Sequence, residues 1–220
     1  TVDGTLIDAW ASFKSFKRKD DKEPPKPGDG TGMVDFKGEK RSNATHQSTT
    51  DPEAKLMRKG NGQPARLSYG GHALMENRSG LCVDLLITDA TLAEHQAARQ
   101  LLTRARRRKI HPKTLGADKG YHVKDFVQHL REHKIKPHIA RIDGRKTPGL
   151  DGRTSCTEGY KVSQRKRKRV EEIFGWLKTV GGMRKTRFIG EARTQIAAYL
   201  SAAAYNLLRI AKLQSAGSAA

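Results

Sequence analysis

Three acidic residues in separate parts of the chain have surroundings suited to holding a metal ion. Asp3 lies in Thr-Val-Asp-Gly-Thr, Asp118 in Leu-Gly-Ala-Asp-Lys-Gly-Tyr, and Glu171 in Arg-Lys-Arg-Val-Glu-Glu-Ile-Phe. Carboxylates gathered from distant parts of a chain can hold Mg²⁺, which prefers oxygen ligands and can polarise a phosphodiester while activating the attacking water or hydroxyl. The three acids therefore predict phosphoryl transfer on DNA.

The charge balance favours a polyanionic partner. The chain has 43 Lys and Arg against 23 Asp and Glu, a formal net charge of +20 on 220 residues. Binding to phosphates would release condensed counterions, which favours nucleic acid as the partner. A small ribosomal or nucleoid protein would account for this charge equally well, so composition alone does not separate an enzyme from a binding protein.

The cysteines and histidines give no sign of a zinc site or a disulfide scaffold. Cys82 and Cys156 are too few and too far apart for either, which predicts free thiols in a reducing cytosol. We interpret the His and Cys residues as having no pair with the spacing of a zinc site. His72 and His95 are therefore interpreted as structural. No apolar run reaches membrane-spanning length, and the basic N-terminal stretch lacks the apolar core of a signal peptide. We therefore expect an intracellular protein.

The elements that must position the acids alternate between strand and helix patterns. The first strand begins only two residues before Asp3, although a strand normally has five or six residues. We therefore interpret the chain as a fragment that has lost its N-terminal part. Residues 14–49 are predicted to form an exposed loop insertion, because Lys, Asp, Gly and Pro dominate most of it. The elements predicted after this loop are a hairpin of strands 65–76 and 81–88, a helix at 92–108, a strand at 113–117, a helix at 123–133 and a strand at 136–140.

A late helix is predicted over residues 163–179, with Val170, Ile173, Phe174 and Leu177 forming one buried stripe. At about 100° per residue, Arg167, Glu171 and Lys178 fall within roughly 40° of one another beside that stripe. This charged row could face a phosphate site, with the carboxylate holding an ion and the two cations reaching phosphates. It could equally be an ordinary salt-bridged helix face.

A final helix is predicted over residues 191–213, followed by a disordered tail at 214–220. Its apolar face is expected to pack on the sheet and close the domain. The residues predicted on that face are Ile196, Leu200, Ala203, Ala204, Leu207 and Leu208.

The order of these elements predicts an α/β fold over residues 1–213, with a ribonuclease-H-like mixed sheet flanked by helices. Asp118 then sits just past the carboxyl end of a strand, where α/β sheets place ligands. Several motifs point in the same direction: Val-Asp-Gly-Thr-Leu-Ile, Gly-Glu-Lys-Arg-Ser-Asn-Ala-Thr-His, Thr-Asp-Pro-Glu-Ala, Gly-His-Ala-Leu-Met-Glu-Asn, Gly-Ala-Asp-Lys-Gly-Tyr and Val-Glu-Glu-Ile-Phe-Gly-Trp-Leu-Lys-Thr-Val-Gly-Gly. Together they resemble the catalytic domain of bacterial insertion-sequence transposases of the DDE type. Within the insertion-sequence-four-like group, the resemblance is to the family named for insertion sequence five.

The resemblance implies roles for individual residues. Asp3, Asp118 and Glu171 would be the catalytic triad and would hold two Mg²⁺ ions, for which Mn²⁺ may substitute. The family's late-helix pattern of Tyr, two residues, Arg, three residues, Glu, six residues and Lys is matched by Arg167, Glu171 and Lys178, with Gln164 at the tyrosine position. The residues expected to contact DNA are Arg165, Lys166, Arg167, Lys168, Arg169, Lys178, Lys119 and Tyr121.

The activity implied is Mg²⁺-dependent cleavage at transposon ends followed by strand transfer into target DNA. Its partners would be the terminal inverted repeats and the target DNA, with a homodimer in the synaptic complex and no membrane. The location implied is the bacterial cytoplasm, at the nucleoid. Two alternatives remain open from the residues alone, namely a nuclease or resolvase of the same fold and a non-catalytic DNA-binding remnant.

Overall fold

The structure, a computed structural model, describes residues 1–20 and 41–217. Most of the predicted loop insertion and the last three residues of the predicted tail lie outside the described residues. The strands are β1 (Val2–Asp8), β2 (Phe16–Arg18), β3 (His46–Ser48), β4 (Lys55–Met57), β5 (Arg66–Met75), β6 (Cys82–Asp89), β7 (Thr114–Ala117) and β8 (Lys136–Ile139). The helices are α1 (Glu94–Arg107), α2 (Lys124–Glu132), α3 (Gly152–Ser155), α4 (Glu158–Lys166), α5 (Val170–Thr179) and α6 (Glu191–Gly217).

The long strand β5 organises the main sheet. It pairs antiparallel with β1 along the whole of β1, from Val2 opposite Leu74 to Asp8 opposite Ser68, and it also pairs antiparallel with β4 and β6. Strands β7 and β8 form a separate parallel pair. β7 lies beside β1, since a Cβ on Gly116 would be 3.0 Å from Oγ1 of Thr1. The arrangement confirms the predicted mixed α/β fold class.

Helices cover both faces of this sheet. Side chains alternate between the faces along a strand, so β5 contributes Tyr69 and Ala73 to one core and Leu74 to the other. The first core is completed by residues of α5 and α6, and the second by residues of α1 and α2. The sheet whose first strand carries Asp3 is therefore packed by helices on both faces.

The hairpin, α1, β7, α2 and β8 confirm the predicted elements to within two residues at each boundary. The segment predicted as a late helix over 163–179 is helical and ends at Thr179, and its predicted stripe is buried. It is not, however, one continuous helix. The helical segment begins earlier, at Glu158, where Oγ1 of Thr157 accepts a hydrogen bond from the backbone of Tyr160 at 3.2 Å. A 3₁₀ turn at Arg167–Arg169 then separates α4 from α5. Because a 3₁₀ turn has about three residues per turn, the rotation calculated for one continuous helix does not apply between Arg167 and α5.

The described ends of the predicted loop insertion form a short strand ladder with a few buried side chains. β2 pairs antiparallel with β3, and the ring of Phe16 stacks on His46 with their centroids 5.4 Å apart. Phe16 is buried in the core shared with α5 and α6, and Ser48 is buried as well. The sequence interpretation missed this short ladder, because a three-residue strand carries too little periodicity to be recognised.

The final helix was placed correctly, but the prediction of its packed face is wrong, and it continues into the predicted tail as far as Gly217. Ile196, Leu200 and Leu207 are 60%, 69% and 69% exposed, whereas Ala198 and Ala202 are buried. The remaining residues of the predicted face, Ala203, Ala204 and Leu208, are exposed too.

Polar side chains on the inward face of α6 explain this orientation. The amide of Asn206 accepts a hydrogen bond from the backbone N–H of Cys82 at 2.8 Å and donates one to its carbonyl at 2.9 Å. Gln195 does the same for β6 further along, accepting from Ile87 N–H at 2.7 Å and donating to the Leu85 carbonyl at 3.0 Å. β6 is an edge strand of the described sheet, and its unpaired backbone groups need partners. The helix therefore turns its amides, not its leucines, toward the sheet.

Replacing Asn206 with Ala is expected to destabilise the protein by about 1–3 kcal/mol, because two backbone groups of Cys82 lose their partner. Replacing the exposed neighbour Leu207 with Ala should change stability by less than about 0.5 kcal/mol. Urea unfolding of both variants measures the difference. A larger loss for Leu207→Ala than for Asn206→Ala would contradict this account of how α6 is held.

Among the described residues, no helix combines the length and apolar composition needed to cross a bilayer.

Candidate active site

Asp3 is the acid on which the other charges of the site converge. It lies near the start of β1 and is partly buried, with Oδ1 accepting a hydrogen bond from the backbone N–H of Gly4 at 2.8 Å. Burial raises the pKa of Asp3, and the nearby carboxylates of Asp118 and Glu171 raise it further. The Gly4 N–H and the guanidinium of Arg167 act in the opposite direction. The charges of the two other predicted acids and of Arg167 thus all act on Asp3.

Asp118 is positioned by the end of β7. Its Oδ1 accepts a hydrogen bond from the backbone N–H of Gly120 at 2.8 Å and caps the 3₁₀ turn Lys119–Tyr121. Since β7 runs beside β1, the residue that follows β7 comes next to the start of β1. The predicted location, just past the carboxyl end of a strand, is confirmed.

Glu171 lies in the first turn of α5 and is exposed, while Ile173 and Leu177 of the same helix anchor it in the core. Its neighbour Glu172 is directed elsewhere, because its charge acts on the hydroxyl of Tyr205 in α6, whereas that of Glu171 acts on Asp3. The structure therefore separates two adjacent acids that the sequence could distinguish only by helical rotation.

Glu94, the first residue of α1, is a fourth carboxylate in this cluster and was missed by the sequence analysis. Its Oε1 lies 2.8 Å from where a Cβ on Gly4 would be, and its Oε2 lies 3.6 Å from where a Cβ on Gly120 would be. Burial raises the pKa of Glu94, as do the charges of Asp118 and Asp3. An acid in the first turn of a helix is so common that nothing in the sequence distinguished it.

Two buried polar atoms without a hydrogen-bond partner face this cluster. The hydroxyl of Tyr121 is fully buried, and the charges of Glu94, Asp3 and Asp118 all raise its pKa after burial itself. Nδ1 of the buried His72 lies 3.1 Å from where a Cβ on Gly4 would be, on the side occupied by Glu94. Unpartnered buried polar groups are rare in proteins and call for an explanation such as a bound ion or water.

The prediction that Tyr121 contacts DNA directly is therefore wrong. Its side chain has no exposed surface, and its ring packs against Phe126 with the centroids 6.0 Å apart. Burial of the ring places its hydroxyl behind the acids rather than on the surface. Lys119, two residues earlier, is exposed.

The donors of the cluster suit Mg²⁺ or Mn²⁺, which are bound by carboxylate oxygens. The acids do not form a tight shell around a single point, since they include no three ligand atoms that all lie within 4.8 Å of one another in the described residues. Carboxylates spread in this way would suit more than one ion better than a single closed three-ligand site.

The one tight group of metal-ligating atoms among the described residues lies elsewhere, at the end of α2. It consists of His129, Glu132 and His133, and the Nδ1 of His133 is 2.8 Å from the His129 carbonyl. The interpretation that no histidine pair has zinc-site spacing was therefore wrong, because residues four apart share one face of a helix. The spacing within the predicted helix 123–133 would have been sufficient to find it.

The residues around Arg167 and Lys178 fix these two cations close to β1. Gln164, at the family's tyrosine position, donates from its amide to the His138 carbonyl and accepts from Nε of Arg167 at 3.0 Å. Nζ of Lys178 donates to Oγ1 of Thr5 in β1. Burial lowers the pKa of Lys178, and the charges of Lys59 and Arg184, which line the same groove, lower it further.

The basic run at 165–169 divides into exposed and structural residues. Arg165, Lys166 and Lys168 are exposed, and Arg165 lies 3.6 Å from Glu158. The guanidinium of Arg169 instead donates to the carbonyls of Asn77 and Arg78, in the turn between β5 and β6.

Comparison with known proteins identifies one family. The family model described as the transposase DDE domain matches residues 39–207, which is well over half of the chain and contains Glu94, Asp118 and Glu171 but begins after Asp3. No curated protein and no solved structure matches the chain. From the extent of this match and the mixed α/β fold that brings acids together at one end of the sheet, we conclude that the chain belongs to the family of transposase DDE domains.

Proposed function

We propose that this transposase domain cleaves DNA at transposon ends and joins the freed 3′ end to target DNA, in reactions that require Mg²⁺. The observation that supports this most is the convergence of the Asp118 and Glu171 charges on the partly buried carboxylate of Asp3. Three acids from three separate segments gain nothing from lying together in a metal-free protein, because like charges repel one another. Their proximity is explained by divalent cations held between them.

In this proposal the carboxylates of Asp3, Asp118 and Glu171 bind the ions and fix their positions on rigid elements. When bound there, Mg²⁺ supplies Lewis-acid polarisation of the scissile phosphate and lowers the pKa of a bound water or hydroxyl. The hydrogen bonds from Gly4 and Gly120 orient the two aspartates before any ion arrives. Such preorganisation avoids reorganisation of the site at the moment of reaction.

The basic side chains next to the acids bind the DNA phosphates. Arg167, oriented by Gln164, and Lys178, oriented by Thr5, are close enough to the site to neutralise non-bridging phosphate oxygens. Lys59 and Arg184 extend the positive charge from Lys178 along the groove. The exposed Arg165, Lys166 and Lys168 would follow the DNA backbone as it enters.

The test is a pair of DNA assays with purified protein and added MgCl₂ or MnCl₂. We expect nicking of a supercoiled plasmid that is lost when the metal is chelated by EDTA. We also expect a labelled duplex with a free 3′ hydroxyl to be joined covalently to the plasmid under the same conditions. Joined products are resolved on denaturing gels, which separate covalent strand transfer from simple binding.

The outcome of the two assays separates the three functions that the residues allow. Metal-dependent nicking without joined product would indicate a nuclease or resolvase of the same fold. Duplex binding without nicking in either metal would indicate a DNA-binding remnant. Either result contradicts the proposal as stated.

A further inference from the structure

We propose that Glu94 is a fourth metal-binding carboxylate, which acts with Asp3 and Asp118. The inference rests on the proposed function, since it concerns ions at the same site. It adds a residue from α1 to the site. The sequence motifs and the charge distribution did not connect this helix with the acids.

The side chain of Glu94 is held between the two aspartate-bearing segments. One carboxylate oxygen lies over Gly4, directly after Asp3, and the other lies toward Gly120, the residue whose N–H binds Asp118. Both of these neighbours are glycines, and a Cβ on Gly4 would come within 2.8 Å of Oε1 of Glu94. The absence of side chains at these positions leaves room for the carboxylate to approach the backbone of β1.

The position of Glu94 at the start of α1 explains part of its environment but not its direction. The N-terminus of a helix favours a negative charge, and a solvent-facing glutamate would satisfy that preference. Glu94 is exposed, but its two carboxylate oxygens lie against Gly4 and toward Gly120, where the charges of Asp118 and Asp3 both oppose its ionisation. Three carboxylates gathered in this way are stabilised by a cation between them.

His72 provides an independent observation that something binds beside Glu94. The hydroxyl of Thr88 donates its proton to the Asp89 carbonyl at 3.0 Å, so it accepts from Nε2 of His72 at 3.1 Å. With Thr88 donating to Asp89, we assign the ring proton of His72 to Nε2, so that Nδ1 presents a lone pair. That lone pair is buried, has no hydrogen-bond donor, and lies over Gly4 beside the Glu94 carboxylate.

The buried hydroxyl of Tyr121 lies near the same acids and also lacks a partner. The Nδ1 lone pair and the Tyr121 hydroxyl are thus two buried groups near the three carboxylates that the protein alone leaves unsatisfied. A hydrated cation held by Glu94, Asp3 and Asp118 would satisfy the lone pair, because its bound water would donate a hydrogen bond to Nδ1.

The experiment measures two quantities, the affinity for Mn²⁺ by calorimetry and the rise in melting temperature on addition of Mn²⁺. The parent is compared with the variants Glu94→Gln, Glu94→Asp and Glu172→Gln. All variants are made in a His133→Ala background, because His129, Glu132 and His133 form another group able to bind metal. We expect Glu94→Gln to weaken Mn²⁺ binding by at least about tenfold. Glu94→Asp should recover part of the loss, and Glu172→Gln, whose carboxylate is exposed on the far side of α5, should match the parent.

The metal-free melting temperature separates a ligand from a merely structural residue. Removing a carboxylate that repels its neighbours should leave the metal-free protein as stable as before or more stable, while the stabilisation by Mn²⁺ decreases. If Glu94→Gln lowers the metal-free melting temperature and binds Mn²⁺ as tightly as the parent, Glu94 is structural and the proposal is overturned.

An Asp118→Asn variant distinguishes this failure from failure of the proposed function. If Asp118→Asn loses Mn²⁺ binding and Glu94→Gln retains it, the metal site stands without Glu94. If the parent itself binds no Mn²⁺ and cleaves no DNA, the proposed function is contradicted, and the role of Glu94 falls with it.

Discussion

Replacing Asp118 with Asn, or Glu171 with Gln, is expected to reduce metal-dependent plasmid nicking by more than about 100-fold. Loss of an outer partner of a metal ligand already costs about 10–100-fold, and loss of a ligand itself should cost more. Both replacements keep the shape of the side chain, and an Asn at 118 can still accept the hydrogen bond from Gly120. Affinity for duplex DNA, measured by fluorescence anisotropy, should change little because the basic surface is intact.

Two exposed acids serve as matched controls for these variants. Glu172→Gln alters the neighbour of Glu171 on the same helix, and Asp125→Asn alters an exposed aspartate of α2 a few residues beyond Asp118. Both controls should nick DNA at the rate of the parent. Full activity in Asp118→Asn or Glu171→Gln would assign the metal site to other residues.

Replacing Arg165, Lys166 and Lys168 together with Gln is expected to weaken binding to all duplex sequences alike and to flatten its salt dependence. Each phosphate contact that is lost lowers the slope of log K against log salt by about 0.9. Arg167 is left unchanged because of its position beside Asp3, and Arg169 because its guanidinium holds the turn between β5 and β6. Anisotropy titrations at several salt concentrations give the slope.

The control for this triple variant removes the same charge from the end of α1. Arg106, Arg107 and Lys109 are exposed there, whereas Arg104 and Arg108 pair with the buried Asp84. If DNA follows the run at 165–169, the slope should be nearly unaffected by replacing Arg106, Arg107 and Lys109 with Gln. The reverse pattern would place the DNA along α1 and make the run at 165–169 a solvated face.

The sequence by itself determined the elements whose burial pattern is local. The hairpin, α1, β7, α2 and β8 each show a repeat of two or of about 3.6 residues, and a repeat of that kind requires no knowledge of distant residues. It also determined that Asp118 follows a strand, which places it at the edge of a sheet where ligands bind. The proposed roles of Asp3, Asp118 and Glu171 depend on these positions together with the family motifs.

Tertiary structure alone decided which face of α6 packs on the sheet. In α6 the apolar stripe with Leu200 and Leu207 predicted the packed side, yet the edge strand β6 needed hydrogen-bond partners and selected the side of Asn206. A periodic pattern reveals that a helix has two unlike faces, but the choice between them depends on what the neighbouring strand leaves unpaired.

Only the tertiary structure could also show that Glu94 lies with Asp3 and Asp118 while Tyr121 lies buried behind them. Glu94 and Asp3 are separated by the whole hairpin, and no repeat connects them. Their proximity follows from the packing of α1 on the second core and from the two glycines that let its first residue approach β1. Contacts between distant segments are set by three-dimensional packing, which is why the local sequence pattern does not contain them.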